Sequence, residues 1–215
     1  MLPDIVPAIL SKTIQDFQAD ITKILNSKNL RNGWVHIDFM DNEFVPNQSI
    51  KPEDLENIDF GNLKREAHLM VKHPKEWIEK LIKLSFERII IHFETDGDLK
   101  EYINLAKSGG AEVVIALKHE TDLEELVPYA GLIDRVLLMG VVPGFQGQPF
   151  IPQVIDKTRE LKAKNWPIKI EVDGAVRDTN AKQLLEAGVD CLIIGSFIIK
   201  DDPDIGLEKV HQALL

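Results

Sequence analysis

Short runs of apolar or alternating residues recur along the chain, each followed by the three-to-four spacing of an amphipathic helix or by a helix-sized connection. Eight such runs predict strands at residues 5–10, 34–40, 63–71, 88–93, 112–117, 135–141, 168–172 and 190–195. Helices are expected from Ser11, read as an N-cap, to about residue 25, then over 73–84, 99–107, 122–129, 152–164, 180–187 and 205–215. Residues 51–58 offer at most a short helix, and Gly109-Gly110 reads as a helix stop. Strand and helix in strict alternation call for a parallel sheet. Eight units in 215 residues, with no Gly-rich dinucleotide fingerprint after the first strand, predict one α/β domain over 1–215, a closed (β/α)8 barrel.

The second strand is unusual for what it buries. Val35, Ile37 and Phe39 share one face, and His36, Asp38 and Met40 the other, yet each polar residue has bulky apolar neighbours. A strand covered on both faces then buries an imidazole and a carboxylate about 7 Å apart along the strand. Such a pair needs a partner, which a metal ion or a His–Asp hydrogen bond within a core could supply equally.

The barrel reading brings further polar residues to the same end. Strand three contributes His68 and Met70, strand four His92 and Glu94, strand six Met139, and strand seven Lys169, Glu171 and Asp173. Active sites of such barrels lie at the C-terminal ends of the strands. His36, Asp38, His68 and Asp173 converge there, a donor set suited to one divalent ion such as Zn²⁺, Fe²⁺, Mn²⁺ or Co²⁺. Lys64, Glu66, Lys169 and Glu171 are read as a paired, buried charged layer deeper in the barrel. His92 and Glu94 are read as supports for the ligands or as structural residues. Three glycine-bearing loops, 142–148, 173–175 and 195–196, sit on one rim, where backbone N–H groups can hold a phosphate.

Composition narrows the function. A net charge of −10, from 35 acidic against 25 basic residues, argues against a nucleic-acid or anionic-membrane surface. It leaves a phosphorylated substrate open, because helix N-termini and backbone amides bind phosphate locally. The lone Cys191 allows no internal disulfide and fits a reducing compartment. The N-terminal Met-Leu-Pro-Asp-Ile-Val lacks the pattern of a signal peptide, and no apolar run approaches membrane-span length. A soluble, cytoplasmic protein is expected.

Residues 36–41 (His-Ile-Asp-Phe-Met-Asp) with 44–47 (Phe-Val-Pro-Asn) form the first of several collinear motifs. They are followed by His-Leu-Met-Val at 68–71, Val-Val-Pro-Gly-Phe-Gln-Gly-Gln at 141–148, Glu-Val-Asp-Gly at 171–174 and Gly195-Ser196. Together they resemble the ribulose-phosphate 3-epimerase family over nearly the whole chain. The resemblance implies a (β/α)8 barrel that interconverts ribulose 5-phosphate and xylulose 5-phosphate using a divalent metal, and a homo-oligomer. It implies His36, Asp38, His68 and Asp173 as metal ligands, with Asp38 and Asp173 also the acid/base pair. Met40, Met70 and Met139 would form an apolar shelf around the intermediate. Backbone at Gly144, Phe145, Gln146 and Gly147, at Gly174 and Ala175, and at Gly195 and Ser196 would hold the phosphate. The chemistry suits that set: the C3 proton is acidic beside the C2 ketone, and inversion needs a carboxyl on each face.

Five positions depart from the family pattern. Ala8 stands where a Ser is usual, Asn42 and Ala175 where Gly is, Val142 where Asn is common, and Gln146 where a small residue is. All are expected along the sugar chain or phosphate, so they bear on the substrate more than on the reaction. A different ketose phosphate, such as allulose 6-phosphate, is the first alternative. A catalytically silent sugar-phosphate-binding barrel is the second. An aldolase or decarboxylase would need a Lys or a different charge arrangement at the strand ends, and the best inward Lys, Lys169, lies too deep.

Overall fold

The computed structural model describes residues 2–30 and 33–215; Met1, where the N-terminal reading begins, lies outside them. Eight parallel strands close into a barrel: β1 (Asp4–Ile9), β2 (Trp34–Met40), β3 (Lys64–Met70), β4 (Arg88–His92), β5 (Glu112–Leu117), β6 (Arg135–Met139), β7 (Lys169–Asp173) and β8 (Cys191–Ile194). Each pairs with its successor, and β8 returns to β1 with Asp4 opposite Cys191. The helices are α1 (Ile14–Leu25), α2 (Lys75–Lys83), α3 (Leu99–Ser108), α4 (Gln153–Ala163), α5 (Asp178–Ala187), a one-turn α6 (Ser196–Ile199) and α7 (Pro203–Ala213). The fold is a (β/α)8 barrel, as expected. No helix among the described residues is long and apolar enough to cross a membrane.

Alternation along each strand divides two apolar layers. Val35, Ile37, Phe39, Leu69, Ile89 and Ile91 join the helices in the outer core, whereas Ala8, Ile90, Val114, Leu137 and Ile193 fill the barrel. Strands covered on both faces explain the near-continuous Val, Ile and Leu runs.

Three local expectations need correction. Thr13, not Ser11, caps α1: its side chain accepts from the Asp16 amide, while Ser11 is buried before the helix. Residues 122–129 form only a 3-10 turn, Leu123–Leu126, because Pro128 has no amide to continue a helix. The charged layer is also built differently. Lys64 and Lys169 begin their strands at the open base and are exposed. Glu66 and Glu171 are paired instead by Arg88 and Arg135, the first residues of β4 and β6.

That layer is the floor beneath the site. Arg88 donates to Glu66, to Glu171 Oε1 at 3.3 Å and to Glu112 at 2.8 Å, and its guanidinium lies 4.0 Å from the Trp34 ring centre. Arg135 donates to Glu171 Oε1 at 3.0 Å and to Glu112 at 3.2 Å. Burial and the Glu66 charge push Glu171 up to about 7 against both guanidiniums, and its Oε2 has no hydrogen-bond partner.

Candidate active site

The pattern that put His36 and Asp38 on one face of β2 brings them against His68 of β3 and Asp173 of β7. Register aligns Asp38 with His68 and Met40 with Met70 on adjacent strands, and Met139 with Asp173 across β6 and β7. His36 Nε2 lies 3.2 Å from Asp38 Oδ1 and 3.3 Å from His68 Nδ1. His68 Nδ1 is 2.9 Å from Asp38 Oδ1 and 3.6 Å from Asp173 Oδ2. One donor atom from each of the four residues falls within 4.8 Å of all the others.

Two imidazole nitrogens at this separation cannot both turn lone pairs on one another without a proton or a cation between them. Two nitrogens and two carboxylates also match the ligand chemistry of a borderline divalent ion. The residues present fit such an ion.

Each imidazole is fixed from behind. Glu66 Oε1 is 2.7 Å from His36 Nδ1, and His92 Nε2 is 3.0 Å from His68 Nε2. His92 Nδ1 in turn sits 3.1 Å from Glu94. Metal-bound histidines in general have their second nitrogen held this way. Burial disfavours charge on His36, yet hydrogen bonds and charge from Asp38 and Glu66 outweigh it and hold its pKa well above the usual value. Burial is the main cause that takes His92 down to about 4, so it is neutral.

The two aspartates differ. Burial raises the pKa of both, but His36 and His68 reverse the effect at Asp38 and hold it well below the usual carboxylate range. At Asp173 burial and the Asp38 charge prevail and push it up to about 6. Crowded carboxyls of unequal proton affinity are the arrangement an acid/base pair requires.

Above the cluster opens a pocket of about 750 Å³, its mouth included. Asp38 and Asp173 line it, whereas His36 and His68 lie fully buried behind them. Met40, Met70 and Met139 form part of its wall, and Gly144, Phe145, Gln146, Gly147, Gly174, Ala175, Gly195 and Ser196 its rim. The four expected ligands, the three methionines and the eight expected rim residues are therefore brought to this one region. The Asn47 amide donates to Gly144 O at 2.7 Å, tying the loop after β2 to the loop after β6.

Gly174 is held at φ 109°, and an added Cβ would fall 2.6 Å from Val141 Cγ2 and 2.9 Å from its amide nitrogen, so only glycine fits. Asn42 and Ala175 adopt φ of 65° and 52°, the left-handed conformation that explains why glycine would suit both places. Asn tolerates it, and Ala does so at a cost of about 1 kcal/mol. Among the five departures, Ala8, Gln146 and Ala175 line the pocket. Asn42 and Val142 do not line it, against expectation; Val142 points outward and is 51% exposed.

A sequence profile of the Ribulose-phosphate 3 epimerase family matches residues 4–199. The chain belongs to the ribulose-phosphate 3-epimerase family. Ribulose-phosphate 3-epimerase of Chlamydia muridarum is 38% identical over 183 residues, covering 82% of this chain and 80% of that protein. The Helicobacter pylori enzyme of the same name is 34% identical over 98% of this chain and 99% of its own. The Mycobacterium bovis one is 32% identical over 98% and 92%. The protein is accordingly an isomerase, an epimerase of a phosphorylated pentose. Among solved structures, 3-hexulose-6-phosphate synthase from Salmonella typhimurium superposes with a TM-score of 0.72 at 18% identity, covering 98% of each chain. That likeness reflects the barrel fold.

Sequence reasoning missed the charged residue at the rim of this pocket. Arg177 lines the rim with its guanidinium 5.6 Å from the Phe197 ring centre, and it is the only Arg or Lys among the described lining residues. It sits just before α5, where Asn180 accepts from its backbone amide and donates to Ala175 O. The signal in the sequence was its place three residues after Gly174, next to a loop already read as phosphate-binding.

Proposed function

We propose that the protein interconverts D-ribulose 5-phosphate and D-xylulose 5-phosphate by passing the C3 proton between the substrate and Asp38 on one face and Asp173 on the other. The supporting observation is that these two carboxyls, from β2 and β7, are the acidic groups lining the pocket and hold protons unequally. Asp38, ionised, takes a proton from C3; Asp173, protonated, returns one from the opposite side, and the roles exchange in reverse. His36, Asp38, His68 and Asp173 would hold one divalent cation (Zn²⁺, Fe²⁺, Mn²⁺ or Co²⁺), supplying positive charge where the enediolate develops. Met40, Met70 and Met139 keep water from the reacting carbon and add no competing hydrogen bond.

The phosphate belongs at the rim, against backbone N–H groups of Gly144–Gly147, Gly174–Ala175 and Gly195–Ser196. Arg177 is the one cationic side chain among the described lining residues and would add positive charge beside the phosphate. Arg177→Gln is expected to raise KM about 10-fold with kcat changed less than twofold, and to weaken the salt dependence of KM. Steady-state kinetics at two ionic strengths check this.

Substrate choice is tested by comparing kcat/KM for D-ribulose 5-phosphate with that for D-allulose 6-phosphate. The pentose is expected to lead by about 10-fold or more. A lead for the hexulose would move the substrate assignment to it, with Ala8 the wall position that gives it room.

A further inference from the structure

Beyond the proposed ligands, the pair His92 and Glu94 carries an argument of its own. His68 directs Nδ1 toward Asp38 and Asp173, and Nε2 toward His92 Nε2 at 3.0 Å. Two nitrogens that close share one proton, so one donates and the other accepts. His92 Nδ1 lies 3.1 Å from Glu94 Oε2. Glu94 Oε1 already accepts from the Thr121 hydroxyl and from the Lys118 amide at 2.9 Å. An ionised carboxylate only accepts, so His92 Nδ1 bears the hydrogen.

His92 is fully buried, against His68 on one side and Phe44 on the other, with the Lys118 ammonium 4.2 Å from the Phe44 ring centre. A second charge there is disfavoured. Neutral His92 therefore offers a lone pair at Nε2, and the shared proton comes from His68 Nε2.

We infer that Glu94 is a positioning residue which, through His92, selects the tautomer of His68 whose Nδ1 lone pair faces the centre of the site. The inference rests on the proposed role of His68 as a ligand. Asp38, 2.9 Å from Nδ1, competes by attracting a proton to that nitrogen. The relay offsets this by giving the remaining proton an acceptor at Nε2. Its outer end is anchored: Lys157 of α4 donates to the carbonyls of Lys118, His119 and Thr121, holding the loop that presents Thr121 and Lys118 to Glu94.

Glu94→Gln distinguishes positioning from a structural role, because it keeps shape and can fill both contacts. The amide oxygen must face the two donors at Lys118 and Thr121, which turns NH₂ toward His92 Nδ1. His92 then carries its hydrogen on Nε2 and donates to His68, leaving the His68 hydrogen on Nδ1. In chelator-treated protein, ¹⁵N NMR is expected to show His92 switching from the Nδ1–H to the Nε2–H form. Co²⁺ titration of the same samples is expected to show affinity reduced about 10- to 100-fold by Glu94→Gln. Glu94→Asp, which keeps the carboxylate, should recover most of it.

An unchanged His92 tautomer together with wild-type Co²⁺ affinity in Glu94→Gln overturns the inference. If Glu94→Gln fails to fold, His92→Phe removes the acceptor and keeps the stacking; wild-type Co²⁺ affinity there overturns it equally. If the wild-type protein takes up no Co²⁺, the ligand reading fails, while the His92 tautomer still decides whether Glu94 governs the pair.

Discussion

Replacing Asp173 by Asn is expected to lower kcat by about 10³-fold or more while the barrel stays folded. The change removes one proton-transfer group and one of four clustered donor atoms, yet it is nearly isosteric. Its effect on stability has a definite sign. Asp173 titrates at about 6 in the fold against 3.8 when unperturbed, so its favourable contribution is complete below pH about 4 and is lost as pH rises through about 6. Asn has no proton to lose. In chelator-treated samples the variant should therefore melt with the wild type below about pH 4 and at a higher temperature than it near pH 7. Activity and melting temperature thus move in opposite directions at neutral pH. Loss of both together would indicate damage to the fold and not to the chemistry.

Arg88→Met should be the most destabilising single change in the barrel floor. Arg88 contacts Glu66, Glu171 and Glu112 and is itself buried. Removing it leaves two fully buried glutamates with only Arg135 and His36 to balance them, and breaking a buried pair costs about 3–5 kcal/mol. For a chain of this length that corresponds to a melting point lower by about 10 °C. Adding Glu171→Gln should restore part of the loss above about pH 7, where without Arg88 the buried carboxyl must either ionise with less compensation or hold a proton. Thermal unfolding of the single and double variants checks both statements. The same change is expected to reach the site, since Glu66 bridges Arg88 and His36.

Much of this was legible before any coordinates. A closed parallel sheet covers its strands on both faces, so each strand announces itself as a dense apolar run, and eight of them in this length imply closure. The same cover makes an inward His or Asp conspicuous, which is why His36, Asp38, His68 and Asp173 could be singled out by alternation. The roles of those residues came from resemblance, since alternation says which side a carboxyl faces and nothing of what it binds. Other features gave a weak signal or none. Arg88 and Arg135 open apolar runs and look like ordinary boundary charges, so the pattern offers Lys64 and Lys169 as members of the charged layer, whereas both lie at the exposed base. The 3-10 turn at Leu123–Leu126 has a helical pattern that Pro128 interrupts. Arg177 reads as a helix-entry residue until the loops after β6, β7 and β8 are seen to meet.

The most direct measurement is proton NMR of D-ribulose 5-phosphate in D₂O with the protein, supplied with Zn²⁺ or, anaerobically, with Fe²⁺. Deuterium should enter at C3 as D-xylulose 5-phosphate forms, and Asp173→Asn should be silent under the same conditions. Undiminished exchange in the variant, or no exchange at C3 from folded, metal-supplied wild type, would contradict the account.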